Sequence, residues 1–452
     1  MHTEIKEKSN RTGERQQEVT EQITKMNLRN MGGIVLDGRV ILHSDINCCY
    51  AAIEHLHHPE LHHKPLAVGG DPEARHGIVL TADYMAKKYG VKTGMALWQA
   101  KQLCPEITFI SPRMDVYLRF SRMAHEIYAE YTDRQEPYGI DESWLDVTES
   151  SSLKGDGYKI AREISNRMKF ELGITVSIGV SYNKIFAKLG SDYKKPDAIT
   201  TMYKDEYREK AWRLPVSDLL YVGKSTDRKL KNMGIHTIGD LAVQDRKILE
   251  QCLGKMGLVL WTFANGYDDS PVKKENTHAP IKSIGNSTTT PRDLETDEDV
   301  KIIIYVLAES VAARLRENGF RCRTVEISIR DKELYSFTRQ RKVSNATNIT
   351  REIAEAAFAL FKENYDFRRQ RPIRSLGVRG ADLVTDDYWE QMDLFEDPQI
   401  REKYKKADVA VDEIRKRFGY YSIQRGLMYQ DEVLSHLNAK EDHTVHPHGY
   451  FG

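Results

Sequence analysis

Cysteine is scarce in this sequence, and none of its five residues (Cys48, Cys49, Cys104, Cys252, Cys322) forms a C-x-x-C pair. A reduced chain in a cytoplasmic setting is the expectation that follows. Long apolar runs are missing too. The strongest, such as ITVSIGV, suit buried strands and fall far short of the roughly 20 residues that span a bilayer. The first residues, MHTEIKEKSNRTGERQQEVTEQ, lack the apolar core of a secretory signal. There is no excess of charge of either sign: the net charge is zero, which taken alone speaks against a nucleic-acid partner. No fixed-period repeat is visible.

At 452 residues the chain exceeds one compact core, and two to four domains are expected. The neutral total hides an uneven distribution. Residues 314–379 carry 16 Lys/Arg against 8 Asp/Glu, whereas 381–452 carry 9 against 15. A basic module followed by an acidic tail is the pattern of a local phosphate-binding surface, although a solvated helix face would give similar counts.

Residues 1–37 read as a flexible tail. RVILHSDI then reads as a strand, NCCYAAIEHL as the start of a helix, and 59–77 as a loop rich in His, Pro and Gly. GIVLTADYMAKKYGV is a strand passing into a helix that stops at Gly90. YLRFSRMAHEIYAEYT has apolar residues at three- and four-residue steps, a helical stripe. SWLDVTE (strand), IAREISNRMKFEL (helix), ITVSIGVS (buried strand) and KIFAKLGSDYKK (helix, halted before Pro196) continue the alternation. A helical, Gly-punctuated segment covers 215–270. Beyond a polar connector, VKIIIYVLAESVAARLREN (helix), TVEISIRD (strand), a helix near 350–364 and RSLGVRGADL (strand) predict a second α/β unit. The last helix, KADVAVDEIRKRFG, reads as a packing element.

Asp45 closes the first strand, and Asp141–Glu142 lie in YGIDESWLDV after a turn-like Pro137–Gly139. Successive strand residues face opposite sides, so an Asp-Glu pair converges only at a bend or strand end. Gly139 permits such a bend. Three gathered carboxylates can hold two Mg²⁺ ions about 3.5–4 Å apart, one activating an attacking oxygen and one steadying a departing pyrophosphate. Oxygen ligands suit Mg²⁺ and need no His or Cys. Acids at strand ends are common on any surface, and spacing alone favours that bland reading.

The segments HSDINCCYAAIE, TADYMAKKYGVKTGM, YGIDESWLDVT, SIGVSYNKIFAKLGSDYKKPDAI and GIHTIGDLA occur in this order. Together they resemble the motifs of Y-family DNA polymerases, the group that includes bacterial DNA polymerase IV and UmuC. The likeness runs from about residue 39 to 385. It implies an α+β multidomain fold. A ferredoxin-like palm covers 38–52 and 112–207, small fingers 53–111, a helix-hairpin-helix thumb 208–277, an α/β little finger 278–385 and a C-terminal extension 386–452. The implied activity is error-prone translesion synthesis: template-directed addition of dNMP from dNTP to a primer 3′-OH by a monomeric, two-Mg²⁺ enzyme. The family's metal ligands fall on Asp45, the Ile46 carbonyl, Asp141 and Glu142. Its steric gate against a ribose 2′-OH falls on Tyr50, and its grip on the incoming triphosphate on Tyr84, Lys87 and Lys195. Asn47, Cys49, Lys87 and Gly139 depart from the commoner Asp, aromatic, Arg and Ser, and Lys87 offers a point charge in place of a planar fork.

LLYVGKSTDRKLKNMGIHTIGDL has the helix–turn–helix arrangement of a helix-hairpin-helix, with Gly223 and Lys224 facing a DNA phosphate. Tyr221 stands where the stronger form has Gly. A second such turn is LGKMGLVLW, around Gly254 and Gly257. Arg321, Arg323, Arg330, Arg339 and Arg341 alternate as strand positions facing the duplex would. Gln391-Met392-Asp-Leu394-Phe395 resembles the peptide by which bacterial polymerases bind the sliding clamp: a Gln to hydrogen-bond and a Leu-Phe pair to fill an apolar pocket. The His-rich stretch (His55, His57, His58, His62, His63) lacks a carboxylate or Cys framework and reads as a solvated loop. Two rivals keep parts of this pattern. One is a non-catalytic protein bridging clamp and DNA; the other is a palm-type nucleotide cyclase, which would need neither the hairpins nor the basic module.

Overall fold

The computed structural model describes residues 38–70, 77–274, 280–388 and 398–440. The expected N-terminal tail and the Gln391–Phe395 peptide lie outside them. The chain divides into two bodies, one running to Gly69 and from Val79 to His278, the other from Ala279 to Val445 together with Gly70–Ile78.

Leaving aside single turns of helix, the first body contains β1 (Ile41–Ile46), α1 (Cys49–His57), β2 (Leu66–Gly69), β3 (Val79–Ala82), α2 (Tyr84–Lys88), α3 (Leu97–Leu103), β4 (Thr108–Ile110), α4 (Met114–Ala129), β5 (Gln135–Pro137), β6 (Glu142–Asp146), α5 (Gly157–Glu171), β7 (Val176–Ser181), α6 (Lys184–Tyr193) and β8 (Ile199–Met202). Helices α7 (Lys224–Asn232), α8 (Ile238–Ala242), α9 (Arg246–Leu253) and α10 (Lys255–Ala264) follow. Five strands form one sheet in the order β5-β6-β1-β7-β8. Its centre, β1, pairs antiparallel with β6 and β7, and both β1 and β7 are buried at every position. A strand covered on both faces is mostly apolar or small, as VSIGVS of β7 is; β1 departs from this at His43 and Asp45.

One face of this sheet carries α1, α4 and α5. Leu42, Ile46, Val176, Ile178 and Val180 from the strands meet Ile53, Tyr117, Ile127, Ile160, Ile164 and Met168 from the helices in a common core. Each such side chain contributes roughly 1.5–3 kcal/mol on full burial. On the other face α6 sits almost on the backbone. A Cβ at Gly179 would stand 1.9 Å from the Ala187 carbonyl oxygen, and one at Gly190 would stand 3.0 Å from the Gly179 Cα. Glycine at both positions sets the height of α6 above the sheet. Asn183 starts the helix by accepting the Phe186 amide at 2.8 Å. The far side of α6 presents Ile185, Phe186 and Leu189 to a second core made by Leu219, Leu230, Leu241, Leu249, Leu260 and Phe263 of the helical segment. A small sheet, β3-β2-β4, closes over Val79, Ala86, Val91, Leu97 and Ala100.

The second body has β9 (Ser283–Leu294), α11 (Asp297–Glu317), β10 (Phe320–Asp331), β11 (Ser336–Thr347), α12 (Thr350–Asn364), β12 (Ile373–Thr385) and α13 (Pro398–Phe418). Its sheet runs β11-β10-β12-β9 with antiparallel neighbours, and α11 and α12 cover one face over Ile303, Leu307, Val325, Ile327, Phe361 and Val378. Thr296 and Asp299 form a capping box at the start of α11. The helix α13 is tied to α11 by partly buried ion pairs. Arg316 meets Asp412 at 2.6 Å and Asp408 at 3.4 Å, and Arg415 meets Glu309 at 2.9 Å; Arg425, beyond the helix, meets Asp408 at 2.8 Å. Strand β9 is absent from the sequence reading, and β11 enters it only through Arg339 and Arg341 as strand positions. Both are rich in polar residues, and neither shows the apolar-polar alternation that marks a half-buried strand.

Candidate active site

Asp45 lies near the end of β1 directly across from Glu142, the first residue of β6. The Ile46 amide donates to the Asp141 carbonyl at 2.9 Å, which fixes the corner where the two strands begin to part. Gly139 has a φ of 94°, so the chain reaches this corner through a bend that a side chain would strain. Asp45, Ile46, Asp141 and Glu142 therefore share one end of the sheet.

The electrostatics of this corner are severe. Burial, then the neighbouring Glu142, pushes the Asp45 carboxyl up to about 6. Burial, then Glu142 and Asp45, pushes Asp141 up to about 7. Burial works in the same sense on Glu142, but its hydrogen bond with His43 and the charge of Lys188 outweigh it and bring that carboxyl down to about 2. The surplus negative charge is met by two ammonium groups. Lys188 lies 2.7 Å from Glu142 and 3.5 Å from Asp45, and Lys195 lies 2.7 Å from Asp45. Asp192 binds both lysines, at 3.2 and 2.8 Å.

The donors fit a hard divalent cation, because they are all oxygens and because two of the acids are raised by burial and then by neighbouring carboxylates, a cost that such a cation would relieve. Among the described residues no three His, Cys, Asp or Glu side chains are arranged, as they stand, to hold a metal ion. Asp45 and Glu142 turn instead to the lysines, which supply the positive charge.

The other predicted nucleotide contacts gather at the turn joining β1 to α1. The Tyr84 hydroxyl donates to Asn47 Oδ1 at 3.3 Å, and Lys87 reaches Cys48 Sγ at 3.1 Å. Asn47 is structural here: its Oδ1 also accepts from Ser177 at 2.8 Å, and its amide donates to Thr175 at 3.1 Å. Cys49, where an aromatic is commoner, is buried in the core. Tyr50 stands in the first turn of α1 with its ring stacked on Tyr117, centroids 4.4 Å apart and planes within 9°. Tyr117 in turn donates to the buried Glu54 at 2.6 Å, and Arg113 clamps the same carboxylate.

Lys188, Asp192, His43 and the Glu54–Arg113–Tyr117 group are missing from the sequence reading. The i,i+4 relation of Lys188 and Asp192 within KIFAKLGSDYKK was a visible signal. Glu54 has one local partner, His58 at 3.6 Å and four residues on, but Arg113 and Tyr117 lie 59 and 63 residues away and left no signal.

The first hairpin turn departs from expectation in an informative way. Tyr221 takes the left-handed conformation itself, with φ 71°, and Gly223 caps α7 with open space where a Cβ would be. Lys224 begins that helix. Gly254 has a φ of 64° and likewise faces open space, at the head of α10. Gly257 is different: a Cβ there would stand 2.2 Å from the Leu249 carbonyl oxygen. It lets α9 and α10 touch and does not face outward.

The five arginines of the second body do not share one face. Arg339 and Arg341 are cross-strand partners of Ile327 and Val325, so they stand on the helix-covered side. There Arg339 binds Asn364 at 3.0 Å and Arg341 binds Glu363 at 2.7 Å. Arg321 and Arg330 stand on the opposite side, and Arg323 sits in the irregularity between Cys322 and Thr324. There two steps along β10, from Cys322 to Thr324, stand against five along β11, from Thr347 to Lys342, so counting odd and even positions across it fails. In the His-rich stretch, His55 contacts Asp83 at 3.2 Å and His58 contacts Glu60 at 3.1 Å.

A family model described as the impB/mucB/samB family matches residues 44–192, and one for that family's C-terminal domain matches 281–394. A third, described as the thumb domain of DNA polymerase-iota, matches 217–268. The chain is 53% identical over 399 residues to DNA polymerase IV of Acetivibrio thermocellus, across 88% of this chain and all of that one. It is 39% identical to DNA polymerase IV of Clostridium kluyveri over 86% of this chain and 98% of the relative. Among solved structures, a Y-family DNA polymerase chimera superposes with a TM-score of 0.68 at 24% identity, covering 76% of this chain and 99% of that one.

Proposed function

We infer the chemistry from one premise: the chain belongs to the impB/mucB/samB family of Y-family DNA polymerases. It is a translesion DNA polymerase, acting on DNA and deoxynucleoside triphosphates. The observation that carries the assignment of residues is the pairing of Asp45 with Glu142 at one sheet end, with Asp141 beside them and Lys195 in contact.

Asp45, Asp141, Glu142 and the Ile46 carbonyl would hold two Mg²⁺ ions. Bound there, the ions supply activation of the primer 3′-oxygen and charge neutralisation at the departing pyrophosphate. The protein's own groups do the rest. Tyr84, Lys87 and Lys195 bind the triphosphate, and Lys195 exchanges its contact with Asp45 for one with phosphate. Tyr50, held flat against Tyr117, lies under the sugar and excludes a 2′-hydroxyl. Gly223, Lys224 and Gly254 bind duplex phosphates through backbone N–H groups and one ammonium. Arg321, Arg323 and Arg330 add charge from the second body, whereas Arg339, Arg341 and Gly257 serve internal contacts. Gln391, Met392, Leu394 and Phe395 bind the sliding clamp of a monomeric, cytoplasmic enzyme. No helix among the described residues is long and apolar enough to cross a membrane.

The test is Asp141→Ala in primer extension with Mg²⁺ and dNTPs, alongside a DNA-binding measurement. Extension should vanish while binding persists. Extension at near-normal rate would show that the carboxylates have been misassigned, and a cyclic nucleotide product from the unmodified enzyme would point to a cyclase.

A further inference from the structure

Lys188 meets three carboxylates: Glu142 at 2.7 Å, Asp192 at 3.2 Å and Asp45 at 3.5 Å. Lys195 shares two of them. The two lysines differ in how they are held. Lys188 rides on α6, whose height above β7 is set by backbone contact at Gly179 and Gly190, and its side chain is 14% exposed. Lys195 lies past the end of that helix, is 27% exposed, and is able to follow a phosphate. Lys188 has nowhere to withdraw.

A fixed ammonium among acids that bind cations has two opposite effects. Without metal it offsets carboxylate repulsion that burial makes costly. With metal it is a like charge a few ångströms away and weakens binding. We propose that Lys188 is a resident counter-ion: it stabilises the metal-free site and holds its affinity for divalent cations down. The proposal rests on the reading of Asp45, Asp141 and Glu142 as metal ligands.

It is tested with the full chain and Mn²⁺ alone, without DNA or nucleotide, following free Mn²⁺ by electron paramagnetic resonance. Binding that disappears in Asp45→Asn defines the site. Lys188→Met keeps the apolar stem and removes the charge; it should tighten that binding at least about fivefold, a conservative figure for one nearby charge in a partly screened site. Lys188→Arg should stay within about twofold of the unmodified protein, since it retains the charge. Metal-free melting temperature should fall in Lys188→Met, and saturating Mn²⁺ should close the gap. Should Lys188→Met not fold, Lys188→Gln gives the same comparison with a hydrogen-bond donor retained. Equal or weaker Mn²⁺ binding in the neutral variants overturns the proposal. Absence of any Asp45-dependent binding, in every variant, overturns the ligand assignment beneath it.

Discussion

Replacing Gly179 with alanine puts a methyl group 1.9 Å from the Ala187 carbonyl oxygen and 2.6 Å from the Ser191 amide nitrogen, both on the backbone of α6. Neither atom belongs to a side chain that can swing away. Relief needs α6 to rise by about 1–1.5 Å, to ordinary contact distance. Overpacking of this kind costs about 1–3 kcal/mol and more where backbone must move; here the upper end applies. Alanine also stiffens the unfolded chain, which returns about 0.4–1 kcal/mol. The net loss is about 2–3 kcal/mol, or about 4–12 °C in melting temperature for a body of this size. Activity should suffer further, because α6 carries Lys188 and Asp192 and leads to Lys195, and a misplacement of about 1 Å can cost on the order of 100-fold. Calorimetry and single-nucleotide extension below the new melting temperature measure the two effects separately. A melting temperature within about 2 °C of the original and a rate within about twofold would refute the claim that this contact sets the height of α6.

Three other expectations follow from geometry already described. Burial raises Glu54, but its bonds from Arg113 and Tyr117 outweigh that and hold it below its ordinary value. Its contribution is thus present above about pH 4.3 and lost as pH falls through the depressed value. Glu54→Gln should cost about 1–3 kcal/mol at pH 7 in denaturant titrations, discounted for the partly exposed Arg113, and the gap should shrink below about pH 4; a pH-independent gap argues against the charge. Tyr50→Ala should raise ribonucleotide incorporation at least about tenfold relative to deoxynucleotide, measured by single-turnover extension. Asp408 accepts from Arg425 and from the Thr350 amide at 2.7 Å; Asp408→Ala should cost about 3 kcal/mol, seen as a lower transition for the second body while nucleotide addition survives on a short primed template.

Much of this molecule was legible before its coordinates. The strands around Asp45 and the 141–142 corner announced themselves as short β-rich runs, VIL before Asp45 and SWLDV after Glu142, whose acids stand at the strand ends. The bend at Gly139 is local chemistry and follows from neighbouring residues, whereas the start of α11 at Asp297, capped by Thr296, lies one turn before the expected Val300. What escaped was long-range or double-faced. Strand β11 offers polar residues on both sides, so the alternation of Arg339 and Arg341 suggested a strand without showing which face its arginines take. The hairpin register that sets Arg339 opposite Ile327 and Arg341 opposite Val325 is a long-range pairing, and the irregularity at Cys322–Thr324 breaks the odd-even count for Arg321 and Arg323. Tyr221 shows the opposite lesson: a missing glycine did not abolish the turn, because tyrosine occupies the same left-handed backbone region at an energetic cost.

One helix, α6, is a member of two cores. Its glycine side is seated on the five-stranded sheet, and Ile185, Phe186 and Leu189 are embedded among the helices that follow. It acts as a shared beam. The helical module cannot tilt without either prying apart its own interior or dragging this beam across the sheet. The lysines facing the acids are mounted on the beam and at its end, so mechanical load on the module would be felt where the charges meet.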